Sequence, residues 1–322
     1  MSEPGKTIDV HSHYLTPRYR EEAEAAGHSQ PDGFVAFPEW EAGAAVETMD
    51  RRGIATSILS ISSPGIHFGD DVAARDLARH VNDAGAATVA DHPGRFGLFA
   101  SLPLPDLDGS MSELDRAFDE LNADGVVLAT HNGGVYLGDP VLDPLFAELN
   151  RRRAVVFIHP TSPPCWQEVS LGFPRPMLEF MFETTRALTN MVLGGARRRF
   201  PDIELIVPHA GATLPILADR IAAFTQIPGL AEVDSMEEVI ETLAGFWYDL
   251  TGFAERQLPA LLRLVPPSRL LYGSDWPFTP EEVVALLAAG LEQVEDLSAA
   301  EKAAMFTTNA ARLLPRLGVE QS

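Results

Sequence analysis

Residues 8–17 read IDVHSHYLTP, an apolar run that ends in two histidines one residue apart. In an extended chain residues i and i+2 point the same way. If the run is a strand, the imidazoles of His11 and His13 face one point, and two converging neutral imidazoles are what a transition metal needs. An ordinary pair of loop histidines is the plainer reading of that spacing. The weight of the pair therefore depends on what other residues arrive at the same place.

The rest of the chain supplies the frame. Short, almost wholly apolar runs recur at 7–10, 56–61, 96–100, 125–128, 155–158, 204–207, 246–249 and 269–272. Amphipathic stretches separate them. Residues 70–90 carry Val72, Leu77, Ala78 and Val81 at helical spacing, 112–121 carry Leu114, Phe118 and Leu121, and 142–152 carry Leu142, Leu145, Phe146 and Leu149. TPEEVVALL opens a further helix, with Thr279 as expected N-cap, Pro280 in the first turn and Glu282 placed for a capping box. Strands apolar on both faces belong to parallel sheets. Eight strand–helix units over 322 residues predict a (β/α)8 barrel formed as a single domain, residues 1–322. The competing open sheet lacks its usual G-x-G-x-x-G turn after the first strand. Segments 14–41, 129–140 and 160–176 are rich in Pro, Gly and aromatics and read as long loops on the active face.

Composition narrows the function classes. Net charge is −22 and no Lys/Arg run stands out, which argues against nucleic acid and anionic membrane as partners. The single cysteine, Cys165, excludes an internal disulfide, and nothing around it marks an activated thiol. No run approaches the length of a membrane helix and no leader pattern opens the chain, so the expectation is a soluble cytoplasmic protein, a homodimer or higher homo-oligomer.

Three more residues fall at expected strand ends: His159 after VVFI, His209 in VPHAGATLP and Asp275 in YGSDWPF. Singly, each has a bland reading, a hydrogen-bonded structural histidine or a helix-capping aspartate. Together with His11 and His13 they occupy the carboxyl ends of strands 1, 5, 6 and 8, where barrel active sites are built.

The pieces DVHSH, VFIHP, PHAGATLP and YGSDWPF, in this order, resemble the amidohydrolase superfamily in its aminocarboxymuconate-semialdehyde decarboxylase-like branch. GHSQPDG, PEW, SILSISSPG and GVYLGDP further resemble the 6-methylsalicylate decarboxylase type. The resemblance implies metal ligation by His11, His13, His159 and Asp275, proton transfer by His209, and a substrate pocket lined by Phe278. Some relatives carry a carboxylate-binding Arg just before the position of MDRRG. Here that segment reads EAGAAVET, which leaves carboxylate recognition to the metal or to another arginine such as Arg175 or Arg186. His131 and the loop aromatics Phe34, Phe37, Trp40, Trp166 and Trp276 are further candidates, with Trp40 and Trp166 expected to contact an aromatic ring. Any one of these is more often packing than ligand contact.

The resemblance, with the aromatic loops, implies a metal-dependent, non-oxidative decarboxylase of a small hydroxybenzoate-type acid. One divalent ion per chain, Zn²⁺ or else Mn²⁺ or Co²⁺, would take the carboxylate, or carboxylate and phenol together. Asp275 and His209 are the expected proton donors. One ion is expected because binuclear members of the superfamily bridge two ions with a strand-4 lysine, and the only lysines here are Lys6 and Lys302. The alternative is a hydrolase of an amide or lactone that uses metal-activated water. It shares every site residue. A non-catalytic metal-binding protein would leave an intact ligand set without a use.

Overall fold

The computed structural model describes residues 6–317. Residues 1–5 and 318–322, the ends of the expected 1–322 unit, lie outside the described residues. All eight expected strands form: β1 Thr7–His13, β2 Ile54–Ser60, β3 Phe96–Ser101, β4 Gly125–Ala129, β5 Val155–His159, β6 Glu204–Val207, β7 Trp247–Asp249 and β8 Leu270–Leu271. They pair in parallel and in chain order. The ring closes where β8 meets β1. Val10 donates its N–H to Tyr272 O at 3.0 Å and His13 to Trp276 O at 2.8 Å, so the (β/α)8 barrel is complete.

Alternation sorts the strand residues into two cores. Val10, Ile58, Phe99, Val127, Phe157, Ile206, Trp247 and Leu271 fill the barrel interior. The opposite faces pack against the surrounding helices in a larger apolar cluster. The helix Asp71–Asp91 shows how local chemistry sets an element. Asp70 caps it by accepting the Ala73 N–H at 2.8 Å, and Ala74, Leu77, Ala78 and Val81 form the buried stripe. Val72, read from the sequence as part of that stripe, is 74% exposed.

Two further expectations change. The helix Glu281–Gln293 has Pro280 at its cap and no side-chain cap bond, so the Thr279–Glu282 box does not form. The Thr279 hydroxyl is engaged elsewhere, donating to Asp275 Oδ2 at 3.2 Å. A capping box forms instead at Ser298 and Glu301. The expected loops also carry structure of their own: helix Pro17–Ala25 within 14–41, hairpin strands His131–Asn132 and Val135–Tyr136 within 129–140, and the turn of helix Trp166–Val169 within 160–176. No helix among the described residues is long and apolar enough to cross a membrane.

The barrel wall tolerates little added volume. A Cβ built on Gly125, at the start of β4, would lie 2.3 Å from the Val155 carbonyl oxygen of the neighbouring strand. Backbone cannot yield as a flexible side chain does. Gly125→Ala is therefore expected to cost about 1–3 kcal/mol of stability, read as a lowered denaturant midpoint.

Candidate active site

The barrel brings four expected residues to one point. His11, His13, His159 and Asp275 each offer a donor atom, and these atoms all lie within 4.8 Å of one another. His11 Nε2 and His13 Nε2 stand 3.6 and 3.2 Å from Asp275 Oδ1. Ligand atoms about 2.0–2.1 Å from a tetrahedral ion are roughly 3.3 Å apart, so the spacing suits a metal. The three imidazoles are buried, and the Asp275 side chain is 24% exposed.

His11 and His13 reach this point through an irregularity. With Ile8 and Val10 turned into the barrel, strict alternation would turn His11 outward. Between Asp9 and Ser12, however, β1 advances three residues while β2 advances two, from Ser57 to Leu59. The extra residue re-aims the strand, as a β-bulge does. The His11 ring then lies 4.8 Å from that of Phe157. Gly273 makes room for it: a Cβ there would fall 2.6 Å from His11 Cβ.

Each ligand imidazole is oriented through its other nitrogen. His11 Nδ1 donates to Asp249 Oδ2 at 3.0 Å, His13 Nδ1 to Ser60 Oγ at 3.0 Å, and His159 Nδ1 to the Pro160 carbonyl at 2.7 Å. Ser60 Oγ donates onward to Ser12 O, which leaves it an acceptor for His13. All three rings are thereby set as the tautomer whose Nε2 lone pair faces the cluster. His11 Nε2 and His13 Nε2 are buried with no hydrogen-bond partner, and His159 Nε2 has only Ser62 Oγ at 3.3 Å. Buried acceptors without donors are costly. A cation at their focus satisfies them, so the donor set fits a divalent metal.

His209 stands beside this set, its ring centroid 5.2 Å from that of His11. Its Nδ1 is buried without a partner. Its backbone is left-handed, with φ 56°, as is that of Asp275 at 58°. Strained conformations of this kind in non-glycine residues collect at functional sites. Burial, with the neighbouring His11, pulls the His209 pKa down to about 4 and keeps its ring neutral. Burial and the other imidazoles likewise hold His159 well below the ordinary value, and burial lowers His13. His11 goes the other way: burial would lower it, but Asp249 outweighs that and raises it. Burial would raise Asp275, yet His13, His11 and His209 hold it far below the usual carboxylate range.

His159 and Asp275 open onto a small cavity lined by Phe34, Phe180 and Phe278, with Ser62, Ser63, Asp32 and Pro176. Phe278 also meets His13 edge-on at 5.6 Å. Trp40 and Trp166, expected to touch the ring, are not part of this lining. Trp40 packs against Tyr14 at 5.9 Å, and Trp166 lies under the Arg175 guanidinium at 4.3 Å. Phe34 and Phe180 line the cavity with Phe278. Neither Arg175 nor Arg186 lines the cavity, and Arg186 pairs with the buried Glu183. His131 is held by the Ser162 carbonyl at 3.1 Å, outside the lining.

Asp249 and Asp32 were not singled out from the sequence. Asp249 ends the expected strand FWYD, so the strand-end rule that found His159 had the means to find it. Fully buried, it serves His11 with Oδ2 and the N–H groups of His209 and Thr251, each at 3.0 Å, with Oδ1. An asparagine has one acceptor oxygen and cannot serve both sides. Asp249→Asn is expected to weaken metal binding about 10- to 100-fold, measured by chelator competition. An affinity within about twofold of the parent's would remove this orienting role.

Comparison with known proteins gives the chain's family. The amidohydrolase family model matches residues 8–316. A 6-methylsalicylic acid decarboxylase of Aspergillus aculeatus is 35% identical over 321 residues, covering 96% of each chain. Another from Penicillium expansum is 35% identical over 316 residues, again 96% of each. A solved amidohydrolase II superposes with a TM-score of 0.91 at 36% identity, covering 96% of this chain and 99% of that one. A 2,6-dihydroxybenzoate decarboxylase shares the fold, with a TM-score of 0.82 at 24% identity over 96% and 99% of the two chains. With the match running from the first barrel strand to the last helical turn, the chain belongs to the amidohydrolase family.

Proposed function

We propose that this protein is a metal-dependent, non-oxidative decarboxylase of a small hydroxybenzoate-type acid, with 6-methylsalicylate as the leading candidate. The observation that carries the reading is a buried three-histidine, one-aspartate donor set opening on a small cavity walled by phenylalanine rings. It occurs in a chain similar along nearly all its length to 6-methylsalicylic acid decarboxylases. One ion per chain is proposed, since β4 ends at Ala129 with no lysine to bridge a second. Three imidazoles and a carboxylate suit Zn²⁺ and serve Mn²⁺ as well. Manganese is bound in the solved dihydroxybenzoic acid decarboxylase from Polaromonas. When bound, such an ion supplies Lewis-acid assistance and a fixed seat for the substrate carboxylate.

The chain's own groups do the rest. Phe278, Phe34 and Phe180 offer apolar walls to a planar ring and exclude water from it. His209 lines the same cavity with a neutral ring and an unengaged Nδ1, placed to carry a proton to the ring carbon that bears the carboxylate. Protonation uses a ring π pair. The carbon–carbon bond to the carboxylate then breaks, CO₂ leaves, and its bonding pair restores the aromatic ring. The resulting phenol differs from the substrate by one proton gained and one CO₂ lost, so no organic cofactor is required. An ortho hydroxyl stabilises the positive charge that ring protonation creates. Asp275, a proposed ligand kept ionised by its imidazoles, is the second group within reach.

Metal-loaded enzyme incubated with 6-methylsalicylate in deuterated water is expected to give 3-methylphenol with deuterium at the carbon that lost CO₂. Turnover of lactones or amides with no hydroxybenzoate consumed would replace this reading by metal-assisted hydrolysis. His209→Ala is expected to keep its metal and lose about 10²- to 10⁴-fold in kcat. His11→Ala or His159→Ala should lose metal and turnover together.

A further inference from the structure

Asp32 is a buried carboxylate that the proposed chemistry leaves unused. It lies in the turn QPDGF with φ 48°, is 5% exposed, and lines the cavity together with His209 and Asp275. Its Oδ1 accepts the Ser162 hydroxyl, which in turn accepts the Arg175 Nε–H at 2.9 Å. Gly33 permits this close approach of the two loops, since a Cβ there would lie 2.9 Å from Arg175 Nη1 and 3.1 Å from Pro174 Cα. Oδ2 of Asp32 has no partner among the described residues, and no cationic nitrogen comes within ion-pair distance of the carboxylate. A carboxylate offers about four acceptor sites, so Oδ2 is open to a donor.

The nearby hydroxyls do not fill the gap. Ser63 is paired with Thr161, and neither Ser62 nor Ser63 is hydrogen-bonded to Asp32. The cavity itself is what Oδ2 can meet, and a donor arriving there completes it.

We infer that Asp32 Oδ2 accepts the hydrogen bond of the substrate's ring hydroxyl, and that its charge keeps a second carboxylate out of the cavity. The inference rests on the decarboxylase reading and assigns the hydroxyl a protein partner apart from the metal centre. A negatively charged acceptor draws on the O–H bond and enriches the ring at its ortho and para carbons. The carboxylate-bearing carbon of a 2-hydroxybenzoate is one of these, and it is the carbon that must take the proton. Asp32 thus selects for hydroxylated monoacids and assists their protonation.

The test uses ligands that cannot lose CO₂, so it does not depend on turnover. 3-Methyl-2-nitrophenol and 2-nitrotoluene differ only in the ring hydroxyl, and their Kd values on metal-loaded protein are measured by calorimetry. The native protein should prefer the phenol about 10- to 100-fold, the range for a hydrogen bond to a charged group. Glycine and asparagine both accept the left-handed backbone at position 32, so Asp32→Gly and Asp32→Asn should fold, which a thermal melt checks. Asp32→Gly should reduce the preference to under about threefold. Asp32→Asn, which keeps a neutral acceptor, should fall between. Both should bind 2-hydroxyisophthalate, with its second carboxylate, more tightly than the native protein does. An undiminished preference in Asp32→Gly overturns the role of Asp32 and leaves the decarboxylase reading intact. If neither nitro compound nor any hydroxybenzoate binds the native protein, both readings fall.

Discussion

Nε2 lone pairs buried against one another are the constraint on which the rest of the site depends. Three imidazoles and a carboxylate share a space of 4.8 Å, and two of the nitrogens there have no donor. Taken alone, that is a poor way to use a barrel core. It persists because each ring is pinned from behind, by Asp249, by Ser60 and by the Pro160 carbonyl. Those three bonds decide which nitrogen carries the proton, and so decide that the focus presents lone pairs and not N–H groups. Asp9 adds a further layer. Fully buried, with its pKa pushed up to about 6 by burial, it gathers the Ser274 hydroxyl and N–H and the His11 N–H, and so fixes the turn that delivers Asp275.

Much of this was legible in the chain. Eight apolar runs specify a parallel barrel because burial on both faces erases alternation. A strand end is readable wherever an apolar run stops, so His159, His209 and Asp275 could be placed beside His11 and His13. The bulge between Asp9 and Ser12 was not legible, since it depends on how β1 registers against β2. The HxH spacing shows that the two rings agree with each other, but not that they turn inward together.

The loops were the least readable part, for a physical reason. Trp40 and Trp166 are large amphipathic rings in segments without periodicity. Whether such a ring faces a ligand or a neighbour depends on contacts distant in sequence, here Tyr14 and Arg175. Asp32 is hidden in the same way. A PDG sequence reads as a turn, and nothing local says that the turn docks beneath residues 174–176 with its carboxylate facing the cavity.

The seam between β8 and β1 gives the site a second meaning. β8 has only two strand residues, and the backbone bonds that close the ring, from Val10 to Tyr272 and from His13 to Trp276, fall just beyond it. His11 and His13 lie on one side of that seam and Asp275 on the other. An ion held by all three would clasp that join from both sides and close a long loop of the chain. Affinity for metal and integrity of the barrel are then one thermodynamic quantity viewed from two sides. Changes that loosen the seam far from the cavity should register first as weaker hold on the ion.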